Sequence, residues 1–310
     1  MKNTTPENSE DETDVSIRAQ RKVFHVWTWP LAAVLFVVAA MLIVNLLPAP
    51  TAGDSDRKVR SSSDIERMEE FFAVENGRRS GDNIVIPITA GKLSLTQITR
   101  SIREAGKLPN KKDVRIEEML NAFPLEAKDS VALWQGNSLG VEVVQCPWSP
   151  SGSLIFVKIR GSSDRSSKLN VEFQSKEGSV ISSHLIGYEL EENDRERKPM
   201  PQNLSASQEI LVALLVESKS PELGKLVWSV NGEAGPTVEL ARDAEKEASS
   251  DSQFASLICG FGLWLREEKS EMIDDALILG LAREVAAESL VADRYDFLEL
   301  VDQAVKVKSK

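Results

Sequence analysis

The rhythm of apolar and polar positions changes several times along the chain. From Val23 to Gly53 no charged residue interrupts the sequence, and the 25 residues from Val23 to Leu47 are mostly apolar. A helix needs ~20 such residues to cross a hydrocarbon layer ~30 Å thick. Trp27 and Trp29 stand where indole rings favour the headgroups, Pro30 falls in the first turns, where its missing N–H is harmless, and Pro48 and Pro50 close the run. The pattern predicts a transmembrane anchor over 23–48. Ahead of it, residues 1–22 carry five acids and too little apolar surface to order themselves, which predicts a disordered tail. A cleaved leader would need a short basic start and a small-residue cleavage site, and the chain fits neither, so the anchor is read as retained. The basic cluster Arg18, Arg21 and Lys22 lies hard against the first apolar residue. It favours a cytoplasmic tail and an extracytoplasmic remainder. Residues 49–82 read as a polar linker with one short helix, opened by the capping-box spacing Ser63-Asp-Ile-Glu66.

Beyond the linker the period becomes helical. Leu95, Ile98, Ile102 and Ala105 share a face over 94–105, with Gly106 as the stop. A second helix is expected from Asp113, as N-cap, to Phe123 before Pro124. From Ser138 to about Leu240 apolar residues alternate: Val141/Val143, Ile155/Val157/Ile159, Val171/Phe173, Val212/Leu214/Val216 and Leu226/Trp228/Val230. Gly, Pro, Ser and Asn clusters separate them, so antiparallel strands are predicted. Three helices follow, over 252–267, 271–289 and 292–306. The fold class is therefore α+β: an antiparallel β-sandwich with N-terminal helices and a C-terminal helical cap, preceded by one transmembrane helix.

Charge and composition narrow the chemistry. With 48 acidic against 37 basic side chains the net charge is −11, which opposes binding to a phosphate backbone. No nucleic-acid partner is expected. Two cysteines and two histidines do not suffice for a zinc ribbon or a histidine-rich metal site. A nucleophilic pair of Cys146 and His184 is conceivable, but Cys146 beside Pro147 and Trp148 reads as a small buried apolar residue, and whether it pairs with Cys259 stays open. Glu117-Glu118, Glu191-Glu192 and Asp274-Asp275 read as solvated faces, because adjacent side chains point apart. No phosphate loop, zinc-protease motif or nucleophile elbow occurs. No catalytic, cofactor or metal residue is assigned, and the chain is read as a non-enzyme without a cofactor. Trp134, Trp148, Trp228 and Trp264 are most simply core residues, with Trp148 and Trp134 as possible partner contacts. Gly260-Phe-Gly262 interrupts a helical pattern at a cost of about 0.8–1 kcal/mol per glycine. Close packing against the β-layer is the first explanation, a kink the second and a ligand site the third.

The run Leu108-Pro-Asn-Lys-Lys-Asp-Val-Arg-Ile-Glu-Glu-Met-Leu-Asn-Ala-Phe123, followed by Cys146-Pro-Trp148, resembles the N-terminal flanking module of bacterial von Willebrand factor type A proteins of the YfbK kind. Leu185-Ile-Gly-Tyr-Glu189, Phe254-Ala-Ser-Leu-Ile-Cys-Gly-Phe-Gly-Leu-Trp-Leu-Arg266 and Tyr295-Asp-Phe-Leu-Glu-Leu300 are similar to the C-terminal module. In that family a doubly wound domain lies between the modules. Here only seven residues separate Gly161 from Leu169, and the family's Asp-x-Ser-x-Ser metal signature is absent. The resemblance therefore implies an N-terminal module over 83–161 joined to a C-terminal module over 169–310, without the central domain or its metal-dependent adhesion site. Gly161 to Lys168 reads either as the rejoined junction or as a hairpin loop, and both predict adjacent antiparallel strands. The function expected is a membrane-anchored interaction or scaffold protein of the cell inner membrane, single-pass and periplasmic in its C-terminal domain. It would contact the bilayer through 23–48 and a protein partner through its outer domain. The alternative is a regulator that couples the outer domain to a cytoplasmic factor through the tail.

Overall fold

The computed structural model describes residues 83–88, 91–188, 202–268, 271–288 and 292–310. The expected tail, anchor and linker helix, all within residues 1–82, lie outside the described residues, as does Glu191-Glu192. Among the described residues no helix is long and apolar enough to cross a membrane.

Among the described residues eleven strands form two sheets. They are β1 (Ile84–Val85), β2 (Ser130–Trp134), β3 (Asn137–Gln145), β4 (Gly152–Arg160), β5 (Ser167–Ser175), β6 (Val180–Leu185), β7 (Gln202–Leu204), β8 (Glu209–Ser218), β9 (Glu222–Val230), β10 (Glu233–Ala234) and β11 (Val238–Ala241). One sheet runs β2-β3-β4-β8-β6; the other runs β1-β5-β9-β10, with β7 on β5 and β11 on β9. Every pairing is antiparallel. The helices are α1 (Ser94–Arg103), α2 (Ile116–Leu120), α3 (Ser250–Leu265), α4 (Asp275–Glu288) and α5 (Ala292–Lys308), with a 3₁₀ turn at Lys111–Asp113.

The side-chain period of two sorts the five-stranded sheet between two cores. Ile155, Val157, Ile159, Val212, Leu214 and Val216 join Val171, Phe173, Leu226, Trp228 and Val230 between the sheets. Leu154, Phe156, Leu211, Ala213 and Leu215, from the other face, join the helices in a second core. Burial on both faces is why Leu154–Val157 and Ile210–Val216 read as unbroken apolar runs. Helix α3 shares that double exposure to apolar neighbours and is buried at every position from Phe254 to Leu265.

Two expectations are corrected. The helix predicted from Asp113 to Phe123 is a 3₁₀ turn and then only five helical residues, without a side-chain N-cap. Ser94 Oγ donates to the carbonyl of Asp113 and accepts from the N–H of Arg115, at 3.0 and 2.9 Å, which draws 113–115 out of helical geometry. The second correction concerns 161–168. Strands β4 and β5 are not adjacent: both edges of β4 are taken by β3 and β8, so the chain crosses to the other sheet. The crossing is tied down, Gly161 N–H donating to the Gln208 carbonyl and Ser162 N–H to buried Asn137. The segments 83–161 and 169–310, expected as directly joined modules, share one sheet. The later segment supplies β6 and β8 to the sheet that the earlier one begins.

Buried polar side chains join the layers. Asn121, at the end of α2, exchanges hydrogen bonds with the N–H and carbonyl of Leu211, both 2.8 Å, along the β8 edge past the end of β6. Glu142 on β3 accepts from Ser249 N–H and Oγ, both 2.9 Å, and Ser249 in turn caps α3 through Ser252 N–H. Ser149 and Ser151 donate to the buried carboxylate of Glu217. Each tie satisfies a group that would otherwise cost about 1–3 kcal/mol to bury.

Candidate interaction surface

Strand β2 forms one edge of the five-stranded sheet, and among the described residues nothing pairs with its far side. The turn to β3 has two residues, Gln135 and Gly136, with φ of 48° and 77°. This is the twist-matched hairpin geometry, and glycine adopts its second left-handed position without strain. It makes Trp134 and Asn137 the first hydrogen-bonded pair. Alternation then directs the backbone groups of Trp134, Ala132 and Ser130 to β3, and those of Val131 and Leu133 to the open edge.

The side chains alternate too. Ala132 and Trp134 pack on the inter-sheet core. Val131 and Leu133 stand on the opposite face, 57% and 69% exposed, opposite Gly140 and Ser138 of β3, which offer them little cover. No charged residue occurs from Ser130 to Val141. Exposed edges in natural sheets are ordinarily blunted by a lysine, a proline or a bulge, and β2 carries none of these. Its ends are fixed: Asp129 pairs with Lys246, and Gln135 Nε2 donates to Glu233 at the tip of the β9–β10 hairpin, at 2.6 Å. The result is an uncharged strand, tied at both ends, with two bare aliphatic side chains and with backbone groups that no described residue pairs.

Sequence reasoning missed β2 because its strand signals begin at Ser138. The signal was there in Val-Ala-Leu-Trp followed by Gln-Gly, but Gln-Gly is not among the dipeptides that mark a hairpin most strongly. Trp134 lies on this strand, half-buried against the core, its indole Nε1 without a hydrogen-bond partner among the described residues. Trp148, the other expected partner contact, is 4% exposed and packs beside Gly260. Its indole has no face left for a partner, since the loop after β3 folds it under α3. The glycines open space for side chains rather than for the sheet: Gly260 for Trp148, Ile278 and Leu281, and Gly262 for Ile116 of α2.

The remaining candidates are structural. Cys146 and Cys259 are buried and form no disulfide, and burial pushes the Cys259 thiol far above its ordinary range. Between Cys146, at the end of β3, and His184 on β6 lie strands β4 and β8. Three strand spacings amount to about 14 Å, so no nucleophile–base pair forms. Glu117 and Glu118, expected on a solvated face, are 3% and 8% exposed. Glu118 accepts from the N–H groups of Leu93 and Ser94 at the start of α1, at 3.0 and 2.9 Å, and Arg115 pairs with both carboxylates. Pointing apart, as neighbours must, put them against different parts of the fold rather than in water. Asp274 accepts from Leu277 N–H at the start of α4. Asp275 accepts from the Trp264 indole at 2.8 Å and from Lys308 at 3.1 Å. Among the described residues no three His, Cys, Asp or Glu side chains are placed to hold a metal ion.

Partial burial acts to raise the Asp275 carboxyl, but the indole and ammonium donors outweigh it and hold it below the usual aspartate range. A depressed folded value means a stabilisation complete above the unfolded aspartate range and lost as pH falls through the folded value. Asp275→Asn is therefore expected to lower the neutral part of a melting-temperature profile and to flatten its acid limb, the two proteins converging at low pH. An acid limb identical to that of the parent would contradict this.

A family model described as von Willebrand factor matches residues 82–156, a stretch that covers β1, α1, α2, β2, β3 and the first half of β4. No curated protein and no solved structure matches the chain. The matched stretch is thus a von Willebrand A-related module, and the open edge strand lies inside it.

Proposed function

We propose that this chain is a membrane-anchored, non-enzymatic interaction or scaffold protein that receives an extended protein segment along β2. The observation that carries the reading is the uncharged edge with Val131 and Leu133 exposed, within the von Willebrand A-related segment. Strand addition at such an edge draws affinity from main-chain hydrogen bonds and specificity from alternate side chains. In this reading residues 23–48 hold the folded unit at the inner membrane, with that unit on the periplasmic side. The two flanking modules of the family are joined directly and the metal-dependent adhesion site has been lost.

A photo-crosslinking residue at Val131 of the full chain, in intact cells, tests it. Adducts are expected there and not at Lys176, and Leu133→Lys is expected to reduce them at least 10-fold while the fold is retained. Equal labelling at both positions would refute the reading. Protease added to intact spheroplasts is expected to cleave the folded unit, and protection until lysis would reverse the orientation.

A further inference from the structure

We propose that the segment β2 receives is β2 of a second copy of this chain, paired antiparallel about Ala132. The proposal rests on the strand-addition reading and names its partner. A two-fold axis through Ala132 sets Val131 of one copy opposite Leu133 of the other, and Leu133 opposite Val131. Both exposed aliphatic side chains of each copy then meet on the same face, and neither is left over. The hydrogen bonding also matches. Val131 and Leu133 have their backbone groups free, so they form the bonded pairs of the new ladder, and Ala132, already bonded to β3, falls at the non-bonded centre.

Charge does not oppose a like partner at this edge. The chain carries −11 in total, yet Ser130 to Val141 holds no charge, so two copies approach at this edge without the opposition they meet elsewhere. In this register Asp129 lies opposite Gln135, not opposite its own copy, and its charge is already paired with Lys246. Such an interface is isologous and closes at two copies. A five-residue strand pair falls short of the roughly 1,000 Å² that a stable complex buries. The pairing is accordingly weak in dilute solution and strengthened where copies share a membrane.

The test is a cysteine at the axis. Non-bonded antiparallel pairs have Cα atoms about 4.5 Å apart, within disulfide reach, and the native Cys146 and Cys259 are buried. Full-length Ala132→Cys, oxidised in native membranes, is expected to give at least 10-fold more disulfide-linked dimer than Lys176→Cys. Adding Leu133→Lys is expected to abolish that dimer with the circular dichroism unchanged. If Ala132→Cys folds poorly, co-expressed Val131→Cys and Leu133→Cys chains are expected to cross-link to each other. No dimer from folded A132C, or a dimer that survives L133K, would overturn the proposal. The photo-crosslinker at Val131 separates the two readings. Adducts of a mass other than twice the chain, without self-adducts, overturn self-pairing and leave strand addition standing; no adduct at all sinks both.

Discussion

Phe254→Ala is expected to cost about 3–5 kcal/mol of folding stability, the range for emptying a buried aromatic site. Phe254 has no exposed surface and stands edge-on to Phe123 and Phe297, with ring centroids 4.9 and 5.4 Å away. Phe123 and Phe297 are themselves edge-on at 5.6 Å, so three rings from three parts of the chain close one cluster. The Arg294 guanidinium lies 5.0 Å from the Phe254 ring centre and is hydrogen-bonded to Ser250. Collapse into the space would have to move α3, α5 or the end of α2, each pinned by other contacts, so the cavity persists. A fall in melting temperature of roughly 10 °C follows for a unit of this size, read by tryptophan fluorescence in thermal or urea unfolding. A loss under about 1 kcal/mol would mean that the cluster is not packed as described.

At Gly262 two effects of opposite sign compete. Helix propensity alone favours replacing a mid-helix glycine, by about 0.8–1 kcal/mol for alanine. A Cβ there, however, would lie 2.6 Å from Cγ1 of Ile116 and 3.0 Å from its Cδ1. Ile116 is fully buried and branched at Cβ, so it has no free rotamer to turn into. Overpacking of this kind costs typically 1–3 kcal/mol. Gly262→Val gains less from propensity than alanine and adds two methyl groups to the clash. It is expected to destabilise by about 2–3 kcal/mol. Combined with Ile116→Ala it is expected to cost less than the sum of the two single changes, the sign of a shared volume. Stabilisation by Gly262→Ala would show that propensity wins and that α2 gives way.

The chain's own pattern makes the elements legible. Alternation at Val141, Ile155–Ile159, Val171, Val212–Val216 and Leu226–Val230 marks β3, β4, β5, β8 and β9, and all five are strands. The periods over 94–105 and after Ser249 mark α1 and the last three helices, the ends correct to within a few residues. What pattern reading lost were short elements held by others. Strands β1, β7 and β10 have two or three residues, too few to show any period, and α2 was lengthened because its Ser94 ties come from elsewhere in the chain. Of the candidate surface, Trp134 was named and its strand was not. Trp148 was named as exposable, but only the packing of α3 over it places it inside.

Sequence alone determines which segments pair by period two and which coil by period 3.6, because local periodicity decides which side chains share a face. It also determines the acidic surplus, and the lack of charge from Ser130 to Val141. Only the tertiary structure decides that β4 and β5 part to different sheets, that Glu117 and Glu118 turn inward, and that β2 is left at an edge. Each of these depends on which distant strand or helix fills a neighbouring position, and neither the spacing of apolar residues nor the type of any one residue encodes that neighbour.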